Sequence, residues 1–279
     1  MIELFDTHAH IQELEFRDDF DAVLENARAA GVGTIVMPAE HVESSASATR
    51  IAERYDNLYA TAGYHPNDAS SLTPEALAAI DGLLAHPKVV AVGEIGLDFY
   101  REHSTHEQQY AVLGQMLELA ARHRKPIVIH CRDAWPELRP VLEPWARRVR
   151  ANIDGPVGVL HYFSSTLDDA LFYIDLGFMV SVHTSVTHPK AQALRDVVAG
   201  VPLEALVIET DSPYGAPQAR RGNRNEPAWV IESAKQIATI KDISLEEVAA
   251  VTTANARRLF RLVSSDAATP DKLGHGAIV

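Results

Sequence analysis

Eight short β-branched runs recur along the chain, at 2–6, 34–37, 58–62, 89–92, 127–129, 157–160, 178–182 and 206–208, separated by longer stretches of helical spacing. A strand-then-helix unit repeated eight times over about 250 residues is the pattern of an α/β chain folded as a (β/α)8 TIM barrel. A doubly wound open sheet is the rival. It would carry a glycine-rich phosphate loop after the first strand, and FDTHAH is not one. The helical stretches have legible ends. Thr73-Pro74-Glu75 sets a capping hydroxyl before a first-turn proline, and Thr105–Gln108 and Ser244–Glu247 fit capping boxes. Gly31 closes a helical stretch read over 16–30. A single barrel domain is expected over 1–262, with an irregular polar tail over 263–279.

Composition narrows the function. With 47% apolar and 23% charged residues the chain is globular. Lys and Arg number 25 against 38 Asp and Glu, a net charge of −13, which argues against broad binding to duplex nucleic acid. It leaves room for a pocket that holds one anionic end through metal ions. Cys131 is the sole cysteine, so no intrachain disulfide forms and a reducing compartment is the simplest reading. The opening MIELFDTHAH lacks the basic-then-apolar order of a signal peptide, and no apolar run approaches about 20 residues. The expectation is a cytoplasmic protein with no membrane partner.

The ionisable residues fall at particular places. His8 and His10 follow the first strand, His65 the third, Glu94 the fourth, His130 the fifth, His161 the sixth, His183 the seventh and Asp211 the eighth. From His65 onward they recur roughly every 30 residues, about one βα unit. In a closed barrel the C-terminal ends of all strands meet on one face, where active sites sit. Six of the 13 histidines and two carboxylates then converge on one mouth.

Each residue also has a plainer reading. His8 and His10 suit a solvent-facing strand end, Glu94 a glycine-rich loop, His130 or His161 a hydrogen-bonded core, and Asp211 a turn before Ser-Pro. Together they favour a metal site. Residues i and i+2 of an extended segment share a face, so His8 and His10 can grip one ion. The inventory fits two divalent ions better than one: His8, His10 and Asp211 from strands one and eight on one side, His130 and His161 on the other, and Glu94 as the bridge. Imidazole and carboxylate ligands without thiolate suit zinc, manganese or magnesium.

These residues sit in segments that resemble the TatD family of metal-dependent deoxyribonucleases, within the amidohydrolase-like barrels. The matching segments are FDTHAH, GYHP, VGEIGLDFY, PIVIHCRDA, GVLHYFSS, VIETDSPY, RGNRNEP and VTTANARRLF, in family order from residue 5 to 260. The resemblance implies that His8, His10, Glu94, His130, His161 and Asp211 hold the metals. It implies that Glu94 bridges them, that Asp211 lies beside the attacking water, and that His65 touches the substrate phosphate. It implies a 3′–5′ exonuclease acting on single-stranded DNA or RNA ends. A metal-dependent amide or ester hydrolase, acting for example on an aminoacyl ester, is the alternative that the same barrel allows.

Three positions depart from the family pattern: Ala9 between the two histidines, Ser165 after the sixth strand, and His183, a bulky group that narrows the pocket or meets a phosphate. Arg221 and Arg224 in RGNRNEP suit phosphate oxygens, with an ion pair to Glu226 or another loop acid as the alternative for both. Arg132, two residues past His130, has the same two readings. Cys131 reads as buried filler, and Trp135, Trp145 and Trp229 as packing residues.

Overall fold

The computed structural model describes residues 2–101 and 103–262. The tail expected over 263–279 lies outside the described residues. Eight parallel strands are hydrogen-bonded in sequence order: β1 (Leu4–Asp6), β2 (Val32–Met37), β3 (Leu58–Ala62), β4 (Val89–Asp98), β5 (Ile127–Arg132), β6 (Gly158–Leu160), β7 (Phe178–His183) and β8 (Leu206–Glu209). Around them lie α1 (Phe20–Ala29), α2 (Val42–Ala52), α3 (Pro74–Leu83), α4 (His106–His123), α5 (Trp135–Val149), α6 (Leu167–Asp175), α7 (Gln192–Gly200), α8 (Val230–Lys241) and α9 (Leu245–Phe260). The seam between the first and last strands is laced beyond their ends. Thr7 N donates to Ile208 O (3.1 Å), Asp211 N to His8 O (2.8 Å) and His10 N to Ser212 O (2.7 Å).

The alternation of side chains along each strand builds two apolar layers. Phe5, Val36, Val90, Val128, Val159, Met179 and Val207 meet in one cluster inside the barrel, completed by Leu259 and Phe260 of α9. Phe260 stacks on Phe5 with ring centroids 5.9 Å apart. The intervening residues, among them Ile35, Ile127, Ile129, Val180 and Ile208, join helix residues such as Val23, Met116, Leu138 and Ile237 in the outer layer. Cys131 belongs to this outer layer, and burial pushes its thiol above the usual range. Thr105 and Gln108 form the expected reciprocal cap on α4, and the Thr73 and Ser244 hydroxyls accept from Ala76 N and Glu247 N.

Two local expectations are corrected. The fourth strand, expected over 89–92, continues through GEIGLD to Asp98. Its register against β5 runs Val92–Ile127 and then Ile95–Ile129, so one extra residue is absorbed beside Glu94. Such a bulge re-aims a side chain. Gly96 (φ +149°) pairs with His130, and a Cβ there would lie 1.8 Å from His130 O. The glycine admits a neighbouring strand. The helix read over 16–30 begins only at Phe20, because 14–16 form a 3-10 turn with Phe16 buried beneath the Arg224 guanidinium (4.4 Å).

Candidate active site

Parity inside the barrel sets the site. Two residues above Val128, Val159 and Val207 stand His130, His161 and Glu209, which therefore point inward at the rim. The loop after β1 adds His8 and His10, and the bulge in β4 adds Glu94. Asp211 follows β8 in the left-handed region (φ 59°), a conformation that aspartate tolerates better than most residues.

The side chains converge on Glu94, which is buried. Its Oε1 lies 2.9 Å from His130 Nδ1, 3.5 Å from His161 Nε2 and 3.6 Å from His65 Nε2. Its Oε2 lies 3.4 Å from His8 Nε2 and 4.0 Å from His10 Nε2. Asp211 Oδ1 is 3.5 Å from His10 Nε2, 3.7 Å from His8 Nε2 and 4.0 Å from His161 Nε2. All six residues expected as ligands are thus brought together. The grouping differs in one respect from one ion per side. His161 stacks on His8 (ring centroids 3.5 Å apart) and faces Glu94 with it, whereas His130 faces Glu94 beside His65.

The donor set fits a cation. His8 Nε2 is 3.2 Å from His10 Nε2 while also facing Glu94 and Asp211. One ring nitrogen carries at most one proton and can donate to one of these partners. A cation among them engages all the lone pairs at once. The groups able to hold one are His8, His10 and Asp211; His8, Glu94 and His161; His65, Glu94 and His130; and His10, Glu13 and Glu40.

Charges in the cluster depend on one another. Burial works against ionisation of Glu94, yet His161, His130 and His8 hold its carboxyl well below the usual range. Burial likewise opposes protonation of His161, but Glu209 and Glu94 push it up to about 9. Asp211 and Glu13 overcome burial at His10 in the same sense. Burial and His130 take His65 down to about 3, so its ring is neutral.

Behind the converging residues stands a carboxylate layer that the sequence reading missed. Glu209 Oε1 lies 3.0 Å from His161 Nδ1 and accepts from Tyr162 N (2.7 Å). Asp98 Oδ2 lies 3.2 Å from His130 Nε2, and Glu13 Oε1 lies 3.2 Å from His10 Nδ1. Carboxylates behind ligating histidines orient the ring and raise its basicity. Counting by twos from Val207 along β8 finds Glu209 in the sequence. Nothing comparable signals Glu13, which reaches His10 from an irregular loop.

The remaining expected residues stand in different surroundings. His183 ends β7, buried, stacked on Tyr162 (3.6 Å) and driven down to about 4 by burial. Arg221 is exposed. Arg224 is engaged by an acid, but by Asp19 and not Glu226: Nη1 donates to Oδ1 (2.9 Å) and Nη2 to Oδ2 (2.6 Å). Arg132 lies over the Tyr100 ring (3.7 Å). Trp145 packs in the core with Nε1 donating to Leu117 O, and Trp135 packs on Phe163.

An eight-stranded barrel whose C-terminal rim gathers imidazoles around a buried carboxylate defines a metal-dependent hydrolase of the barrel type. The family model of the TatD related DNases matches residues 5–261. The chain belongs to the TatD family. It is 38% identical to the uncharacterised metal-dependent hydrolase YabD of Bacillus subtilis, over 93% of this chain and 99% of that one. It is 34% identical to the 3′-5′ ssDNA/RNA exonuclease TatD of Klebsiella pneumoniae, over 92% and 97%. The crystal structure of YjjV, a TatD homologue of Escherichia coli, superposes with a TM-score of 0.86 at 32% identity, covering 93% of this chain and 98% of that one. Among the described residues no helix is long and apolar enough to cross a membrane.

Proposed function

We propose that the protein hydrolyses phosphodiester bonds from the 3′ end of single-stranded DNA or RNA, with two divalent cations held by His8, His10, Glu94, His130, His161 and Asp211. The observation that carries the reading is the convergence of the His8, His130 and His161 ring nitrogens, within 3.5 Å, on the two oxygens of one buried carboxylate. Relatives at 34% identity named as 3′-5′ ssDNA/RNA exonucleases support the substrate and do not favour an amide or ester. Zinc, manganese or magnesium bound there supplies positive charge against phosphoryl oxygens and makes water a stronger acid.

The chain's own residues do the rest. Asp211 has a partly accessible side chain at the mouth, and its Oδ1 is the atom placed to take a proton from the attacking water and orient it. Glu94 joins the two halves of the cluster. His65 Nδ1 accepts from Asn67 N (3.1 Å), so the proton of its neutral ring sits on Nε2, which faces the cluster. That Nε2–H is a hydrogen-bond donor for a phosphate oxygen. Arg221, exposed in the loop after β8, offers a second cationic contact, while Arg224 is engaged by Asp19 and His183 ends β7.

Metal-stripped protein, assayed on 3′- and 5′-labelled single strands with each cation added back, tests the reading. Stepwise shortening from the 3′ end, restored by a divalent cation and abolished in Glu94→Ala, is expected. Undiminished turnover in Glu94→Ala, or hydrolysis of carbonyl esters but of no strand, would overturn it.

A further inference from the structure

Large exposed aromatic side chains are uncommon on a hydrophilic surface and mark contact sites when they cluster around a functional centre. Two of them flank the mouth here. Tyr214 (53% exposed) follows β8. Its backbone N donates to Asp211 O (2.8 Å), and its ring sits edge-on to His10 with centroids 6.0 Å apart. Tyr100 (61% exposed) follows β4. Its backbone N donates to Asp98 Oδ1 (3.0 Å), the carboxylate whose other oxygen faces His130. In sheet order β4 and β5 lie across the barrel from β1 and β8, so the two rings stand on opposite sides of the cluster.

Their surroundings differ from those of a packing residue. The Arg132 guanidinium lies over Tyr100, 3.7 Å from the ring centroid, and makes no ion pair among the described residues. A ring stacked with an uncommitted cation suits a nucleotide, since the ring takes the base and the guanidinium the adjoining phosphate. Trp135 and Trp145 pack inward, and Tyr162 is covered by His183, whereas Tyr100 and Tyr214 are exposed.

We propose that Tyr100, with Arg132, and Tyr214 are base-stacking platforms that hold the nucleotides on either side of the bond being cut. The proposal rests on the nuclease reading above and assigns its strand-binding residues. Stacking tolerates any base, so the platforms grip single strands without sequence preference, and a paired base cannot reach them.

Steady-state kinetics of the cation-loaded enzyme on a single-stranded oligonucleotide tests this. Tyr100→Ala and Tyr214→Ala are each expected to raise KM about 10-fold with kcat within about twofold. Tyr100→Trp and Tyr214→Trp, which retain a stacking face, are expected to keep the KM of the native protein. An abasic residue at the matching flank should raise KM of the native enzyme equally and that of the Ala variant no further. An unchanged KM in both Ala variants, or loss of kcat alone, would overturn the platforms while leaving the nuclease reading intact. Failure of the native enzyme to cut any strand would overturn both. Tryptophan variants that behave like the Ala variants would overturn stacking as the cause.

Discussion

Replacing Gly96 by alanine tests how β4 delivers Glu94 to the cluster. A Cβ at this position would lie 1.8 Å from His130 O, 2.8 Å from His130 C and 3.1 Å from His130 N. All three are backbone atoms of β5, and none can swing aside. A side chain at φ +149° adds conformational cost of order 1–2 kcal/mol, and forced separation of packed elements about 1–3 kcal/mol. The variant should therefore lose about 2–5 kcal/mol, a fall in Tm on the order of 5–15 °C for a chain of this size. Because Gly96 pairs with His130 and lies two residues from Glu94, cation affinity should fall with it. Gly114 supplies the control: it is exposed inside α4, with nothing within 4 Å of an added Cβ. Gly114→Ala should gain about 0.5–1 kcal/mol from lower backbone entropy in the unfolded chain. Thermal and urea unfolding followed by circular dichroism, with calorimetric cation titration, measures both variants. A Gly96→Ala protein melting within about 2 °C of the native one would refute the close approach of β4 to β5.

Glu209→Gln keeps the volume behind His161 but removes the charge, and a loss of about 10–100-fold in cation affinity is expected by competition with a chelating dye; unchanged affinity would reduce Glu209 to a packing residue. Burial, reinforced by Glu94 and partly relieved by His10, raises the Glu40 carboxyl. Its ionised form is therefore less at home in the folded chain than in the unfolded one. That penalty is present in full above the raised value and disappears as pH falls toward the ordinary carboxylate range. Glu40→Gln should accordingly stabilise the metal-free protein at pH near 7, with the gain shrinking toward pH about 4.5. Urea midpoints at the two pH values check it, and a gain independent of pH would contradict the sign.

The barrel is readable because its strands are β-branched and its helices capped. Leu58–Ala62 matches its expected bounds, and Thr105 caps α4 as its spacing predicts. The six converging residues are readable because they recur once per βα unit near the C-terminal rim, although Glu94 stands at a bulge within β4 and not at its end. What escapes the sequence depends on local backbone geometry or on partners far along the chain. β4 looks finished at Val92 because glycine is a poor strand former, yet close approach of the neighbouring strand is what those glycines permit, Gly93 against Val128 and Gly96 against His130. The helix expected from residue 16 is displaced to Phe20 while Arg224, some 200 positions away, grips Asp19. Glu209 was within reach, since alternation from Val207 turns it inward. Glu13 was not, because it meets His10 from a segment without periodicity.

The lacing of the first segment to the last has a consequence for biosynthesis. His8 and His10 emerge with the earliest residues, but Asp211 and the strand that Thr7 bonds to follow some 200 residues later. A polypeptide still being translated therefore carries only part of this cluster. The cluster of His8, His10 and Asp211 is assembled only once β8 has closed the barrel against β1.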